Sequence, residues 1–145
     1  MRRTVISIAV VMLWAGVFAF AVAVRASGPD AQQASGWTIP PTGATEKSPL
    51  TVNAAVVAAG RKLFEAKCQR CHGALGKGDG EDGDPDHQAD MDLTLAARAV
   101  RNTDGTVFYK IWNGRATPKM PAFSEQLSKE QAWTIVAYVQ TLRAK

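Results

Sequence analysis

The chain has 145 residues, of which 46% are hydrophobic and 21% charged, and a formal charge of +4. That length fits one domain with flanking segments. With Arg2, Arg3 and Arg25 set aside the remainder is close to electroneutral, which excludes a nucleic-acid partner held by a basic surface.

Met1-Arg2-Arg3 precede Thr4–Val24, an apolar run without a charged side chain that Arg25 closes. Basic residues ahead of such a run are the pattern of an export signal. As a helix the run would be about 31 Å long, enough to span a hydrocarbon core and longer than a usual secretory signal needs. Val24 and Ala26 also satisfy the small-residue rule for cleavage before Ser27. Residues 1–26 are therefore expected to be an export signal or a retained membrane anchor, with length favouring the anchor. Arg2 and Arg3 stay cytoplasmic, and the rest reaches the periplasmic or extracytoplasmic side.

Residues 27–51 contain Gly28-Pro29, Pro40-Pro41, Gly43 and Pro49 among Ser, Thr, Gln and Ala, the composition of a flexible tether. Trp37 and Ile39 stand out there as apolar residues able to dock. From residue 52 to 145 the pattern is helical. Asn53 is placed to cap a first helix whose apolar positions are Val56, Val57, Gly60, Leu63 and Phe64, running up to Cys68. Gly60 costs such a helix about 1 kcal/mol relative to Ala, so a close helix crossing is its expected reason.

An acidic, glycine-rich loop follows, with Asp79, Glu81, Asp82, Asp84, Asp86, Asp90 and Asp92 and no Lys or Arg among them. Asp82, Asp84, Asp86 and Asp90 have the spacing of a calcium loop. However, His87 stands where glycine and Leu93 where glutamate should be, so a solvated acidic face is the expected reading. A second helix is predicted from Asp104, as its cap, to Trp112 and is stopped by Asn113-Gly114. A third is predicted over Lys129–Arg143, with Ser128 and Gln131 as a capping box and Ala132, Ile135, Val136, Val139 and Leu142 as its stripe. Strand signals are missing.

The chemistry is carried by Cys68-Gln69-Arg70-Cys71-His72, which has the spacing of c-type haem attachment. Two thiols on one helical turn can each join one vinyl group of the porphyrin, and His72 then projects its imidazole under the iron. Three rival readings exist. A redox dithiol needs a βαβ context that is missing. A zinc site of Cys68, Cys71, His72 and His87 would ask adjacent residues to share one tetrahedral ion. A disulfide across two residues gains little loop entropy. For the sixth iron position the candidates are Met91, Met120 and His87. Met120 is favoured, because Pro121 keeps it out of helix and lets a loop present its thioether. Met91 reads as core filling and His87 as a solvated loop residue.

These residues resemble the class I (mitochondrial-type) mono-haem c-type cytochromes in their bacterial exported form, over about residues 54–145. The likeness rests on Gly60-x-x-x-Phe64, Cys68-x-x-Cys71-His72-Gly73, Gly76-Lys77-Gly78-Asp79-Gly80, Thr103-Asp104-Gly105, Met120-Pro121-Ala122-Phe123, and Trp133 with Tyr138. It implies an all-α cytochrome c fold of three main helices and loops around one covalent haem c, preceded here by the hydrophobic N-terminal helix. It also implies that Gly60 meets Tyr138 or Trp133 where the first and last helices cross. A proline carbonyl, with Pro85 and Pro118 as the only prolines between His72 and Met120, is implied to accept a hydrogen bond from His72.

The function expected is one-electron transfer rather than catalysis. Redox donor and acceptor proteins would meet the protein through a transient interface that Lys67, Arg70, Lys77 and Lys119 could steer. It would act as a membrane-tethered shuttle or as a subunit of a respiratory or dehydrogenase complex. A haem protein with an open sixth position, peroxidase-like or gas-binding, is the alternative; a zinc or dithiol module is the more distant one.

Overall fold

The computed structural model describes residues 36–117 and 119–143. The expected export segment 1–26, the start of the tether and Pro118 lie outside the described residues. Among the described residues no helix is long and apolar enough to cross a membrane. The architecture is helical: α1 Pro41–Thr45, α2 Ala54–Lys67, α3 Gln69–His72, a 3-10 turn Pro85–His87, α4 Gln88–Met91, α5 Ala96–Ala99, α6 Asp104–Asn113 and α7 Lys129–Val139. Extended pairing among the described residues is confined to two isolated antiparallel bridges, Lys77 with Asp92 and Arg115 with Met120.

Local chemistry sets the helix ends. The Asn53 side chain accepts from the Val56 N–H at 3.0 Å, and the Ser128–Gln131 capping box is present in both directions. At α6 the cap is Thr103, whose hydroxyl accepts from the Thr106 N–H at 3.2 Å. Asp104, expected as the cap, is the first helical residue, and its carboxylate takes the Gln140 amide instead. The last helix ends at Val139, earlier than its apolar stripe suggests. Beyond it Arg143 turns back to donate to the Ala99 and Asn102 carbonyls. Leu142 still packs on the core from outside the helix.

The core is built where α2 crosses α7. A Cβ added at Gly60 would drive into the Thr134 carbonyl oxygen and stand 2.9 Å from the Tyr138 Cβ. Only a residue without a side chain lets the two backbones approach this closely. Phe64, one turn on, is fully buried with its ring 5.3 Å from that of Tyr138. Of the two aromatics expected opposite Gly60, Tyr138 takes the position. Trp133 instead stacks on Phe108 of α6 with ring centroids 4.3 Å apart, which fixes the third main helix against the other two.

In the segment expected as a tether, residues 36–46 lie against α6. Trp37 is buried, and the Thr103 hydroxyl donates to the Ala44 carbonyl at 2.7 Å. A side chain at Gly105 would strike the Gly43 and Glu46 carbonyls, so α1 sits directly on the α6 backbone.

Gly60→Ala tests the crossing. Ala favours the helix by about 1 kcal/mol, but overpacking costs about 1–3 kcal/mol and the obstacle is backbone that cannot rotate away. Net destabilisation in denaturant titration is the expected outcome; a stabilised variant would contradict the close approach.

Candidate haem site

Cys68 ends α2: its backbone, at φ −121° and ψ −32°, breaks the helix and starts the single turn of α3 that carries Cys71 and His72. Both cysteines are free thiols and half-buried. Burial pushes the Cys68 thiol up to about 12, with the neighbouring Cys71 acting in the same direction. A redox dithiol needs the opposite, a thiol whose pKa is lowered so that thiolate is available. The Cys71 thiol points toward the Asp82 carbonyl at 3.8 Å. The turn is tied to the glycine-rich loop by the Gly78 N–H, which donates to the His72 carbonyl at 2.8 Å.

The position of His72 is set by a partner that the sequence did not name. Its Nδ1 lies 2.7 Å from the carbonyl oxygen of Met91. A carbonyl only accepts, so Nδ1 carries the proton and the lone pair is on Nε2. Burial holds the imidazole below its usual pKa against the opposing pull of the Met91 carbonyl, and the positive charge of Arg115 adds to the lowering. The ring is therefore neutral at physiological pH, the form in which imidazole binds a metal. The proline expected in this role does not fill it: the Pro85 carbonyl accepts from the Gln88 backbone N–H. A backbone acceptor has no side-chain signature, so nothing in the sequence singled out residue 91.

Met120 lies half-buried on the core, at the far end of a tight turn from Arg115. The two residues exchange backbone hydrogen bonds, Arg115 N–H to Met120 O at 2.8 Å and the reverse at 2.9 Å. Gly114, with φ +61°, nests against the Met120 carbonyl and the Ala122 N–H and starts the turn. The Arg115 charge that acts on His72 thus comes from the limb facing Met120. Met91, the other methionine candidate, has its backbone carbonyl on the Nδ1 side of the imidazole.

The remaining candidates are engaged elsewhere. His87 Nδ1 lies 2.7 Å from the Asp84 carboxylate. Arg70 pairs with Asp82 at 2.9 Å and Glu81 at 3.2 Å on the open surface, while Lys67 donates to Gln126 at 3.4 Å. Among the described residues no group of three or more His, Cys, Asp or Glu side chains is placed to hold a metal ion, so neither the zinc quartet nor the calcium loop is assembled.

Covalent haem suits the residues present. Two thiols and a neutral imidazole with a free Nε2 follow one another on a turn. Leu63, Cys68, Leu93, Trp112 and Met120 pack on the core yet are only partly buried, leaving apolar surface for a flat apolar group to cover.

Gly78→Ala tests the support of His72. With φ +74°, a Cβ there would stand 3.1 Å from the Asp92 nitrogen and 3.2 Å from the Met91 carbonyl carbon, forcing the segment that carries the acceptor to move. Weakening that bond makes the imidazole less basic. The expected outcome is a higher reduction potential and an altered imidazole N–H signal in NMR of the holoprotein, and an unchanged potential would speak against it.

A family model described as Cytochrome c matches residues 57–143. No curated protein matches the chain. Among solved structures, a chain of the Kuenenia stuttgartiensis reducing HAO-like protein complex is similar at 29% identity with a TM-score of 0.57, covering 66% of this chain and 47% of that one. The present chain thus spans about half the length of that relative. With Cys68, Cys71 and His72 held on one turn inside the matched span, the chain belongs to the cytochrome c family, whose domain implies covalently bound haem c and electron transfer.

Proposed function

We propose that the protein is an exported, single-haem electron carrier, with Cys68 and Cys71 as thioether attachments and His72 Nε2 and the Met120 thioether as the two axial ligands. The observation that carries this reading is the 2.7 Å contact between His72 Nδ1 and the Met91 carbonyl. It fixes one tautomer, leaves the lone pair on Nε2, and raises the basicity of the imidazole as a ligand.

When bound, haem supplies an iron centre that changes by one electron while keeping its ligands. The chain's own residues do the rest. Cys68 and Cys71 prevent loss of the group into the surrounding fluid. Met120, on a turn paired to Arg115, supplies a soft neutral donor that favours the reduced state relative to a second imidazole and closes the sixth position. Met91 is engaged through its backbone carbonyl on the Nδ1 side of His72, which favours Met120 for the opposite face. Residues 4–24 would hold the domain at the membrane if they are retained. The likeness to a chain of a protein complex supports a role as a fixed subunit beside that of a tethered shuttle.

Two measurements test the proposal. Intact mass of protein from cells competent in cytochrome maturation is expected to exceed the polypeptide by one haem that survives acid–acetone extraction; mass equal to polypeptide alone would remove it. Met120→Ala is expected to keep that haem, lose the methionine–iron charge-transfer band, lower the potential and bind CO readily in the ferrous form. A wild-type protein that already lacks the band and binds CO would favour the open-site alternative.

A further inference from the structure

Trp37 lies outside the span shared with the cytochrome c family and is buried to 7% exposure, yet it does not belong to the apolar core cluster. Two cations face its ring: the Arg115 guanidinium carbon at 4.9 Å from the centroid and the Lys110 ammonium at 5.3 Å. The preceding residue reaches the same turn. A Cβ built on Gly36 would stand 3.3 Å from the Thr117 carbonyl oxygen and 3.7 Å from Arg115 Nη1. The 36–37 segment therefore lies on the first limb of the turn whose second limb bears Met120. It is held there by α1, docked on α6.

We propose that Trp37 is a positioning residue for Met120: by holding Arg115 and Lys110 on its ring, it fixes the Arg115–Met120 turn in the conformation that presents the thioether. The consequence for the iron rests on Met120 being the sixth ligand; the hold on the turn does not. A cation over an indole face is attracted by the ring's quadrupole, the more strongly the less water reaches it, and the Trp37 ring is almost wholly shielded. The bridge itself has two backbone hydrogen bonds between Arg115 and Met120, and the ring adds a side-chain hold on the first of these residues. Lys110 shows the same tension from the other side. Burial first, then the charges of Arg115, Arg98, Arg101 and Arg143, push its pKa down to about 8. The ring face and the Asn102 oxygen, 2.7 Å away, offset part of that cost.

The test uses the full-length holoprotein with Trp37→Ala, Trp37→Leu and Trp37→Phe, read by amide hydrogen exchange and by the ferric spectrum. Trp37→Ala is expected to speed exchange at the Arg115 and Met120 amides by about tenfold, a change of about 1.4 kcal/mol, while the amides of α2 and α7 keep their protection. The methionine–iron charge-transfer band should weaken in parallel. Trp37→Leu, which keeps apolar bulk and removes the ring face, should behave as Ala does, and it decides the matter if the Ala variant does not accumulate. Trp37→Phe should restore both readouts. Unchanged exchange at residues 115 and 120, or an equal rise throughout α2 and α7, would overturn the proposal. Absence of the band from the wild-type protein would instead count against Met120 as ligand, and the exchange result would still decide the role of Trp37.

Discussion

The close approach of α2 and α7 at Gly60 is the constraint on which everything else depends. With the Thr134 carbonyl and the Tyr138 Cβ where a side chain would have to go, the two helices meet in one register only. That register buries Phe64, turns the C-terminal end of α2 toward the edge of the core, and there releases the chain at Cys68 into the turn that carries Cys71 and His72. The position of the two sulfurs and the imidazole follows from a contact two helical turns away. The stack of Phe108 on Trp133 then places α6, and with it the Gly114 turn and Met120, around the same edge.

Much of this was legible because it is written in side chains with fixed periods. The apolar stripes of α2 and α7, the Asn53 cap and the Ser128–Gln131 box all lie where the sequence puts them. The cysteine pair and its histidine could be read from spacing alone. What the sequence does not carry depends on backbone atoms or on long-range packing. The Met91 carbonyl behind His72 is one case, since any residue could supply it. Thr103 displacing Asp104 as the α6 cap is another: both side chains can cap, and Gln140, distant in sequence, engages the carboxylate. The stripe of α7 continued to Leu142 because packing outlasts the helix.

The acidic loop shows how local pairing decides between a site and a surface. Four carboxylates at calcium-loop spacing would have to converge on one point. Instead Asp82 faces Arg70, Asp84 faces His87 and Asp90 faces Arg98. Each of these three has a different neighbour, and exposed ion pairs such as Arg70–Asp82 contribute at most about 1 kcal/mol. Their effect is geometric: the loop folds around its own charges and brings residue 91 behind the imidazole.

The docked segment before α2 separates two ideas of where this domain starts. Sequence likeness begins at residue 57, whereas packing begins at least twenty residues earlier, at Gly36 and Trp37. A polypeptide cut at the border of homology would retain every group expected to touch haem, yet it would strip the cover from Gly105 and leave Lys110 and Arg115 with water in place of an indole. Such a fragment would carry the family's signature intact while lacking the brace, so the span that the family matches and the unit that packs together do not coincide.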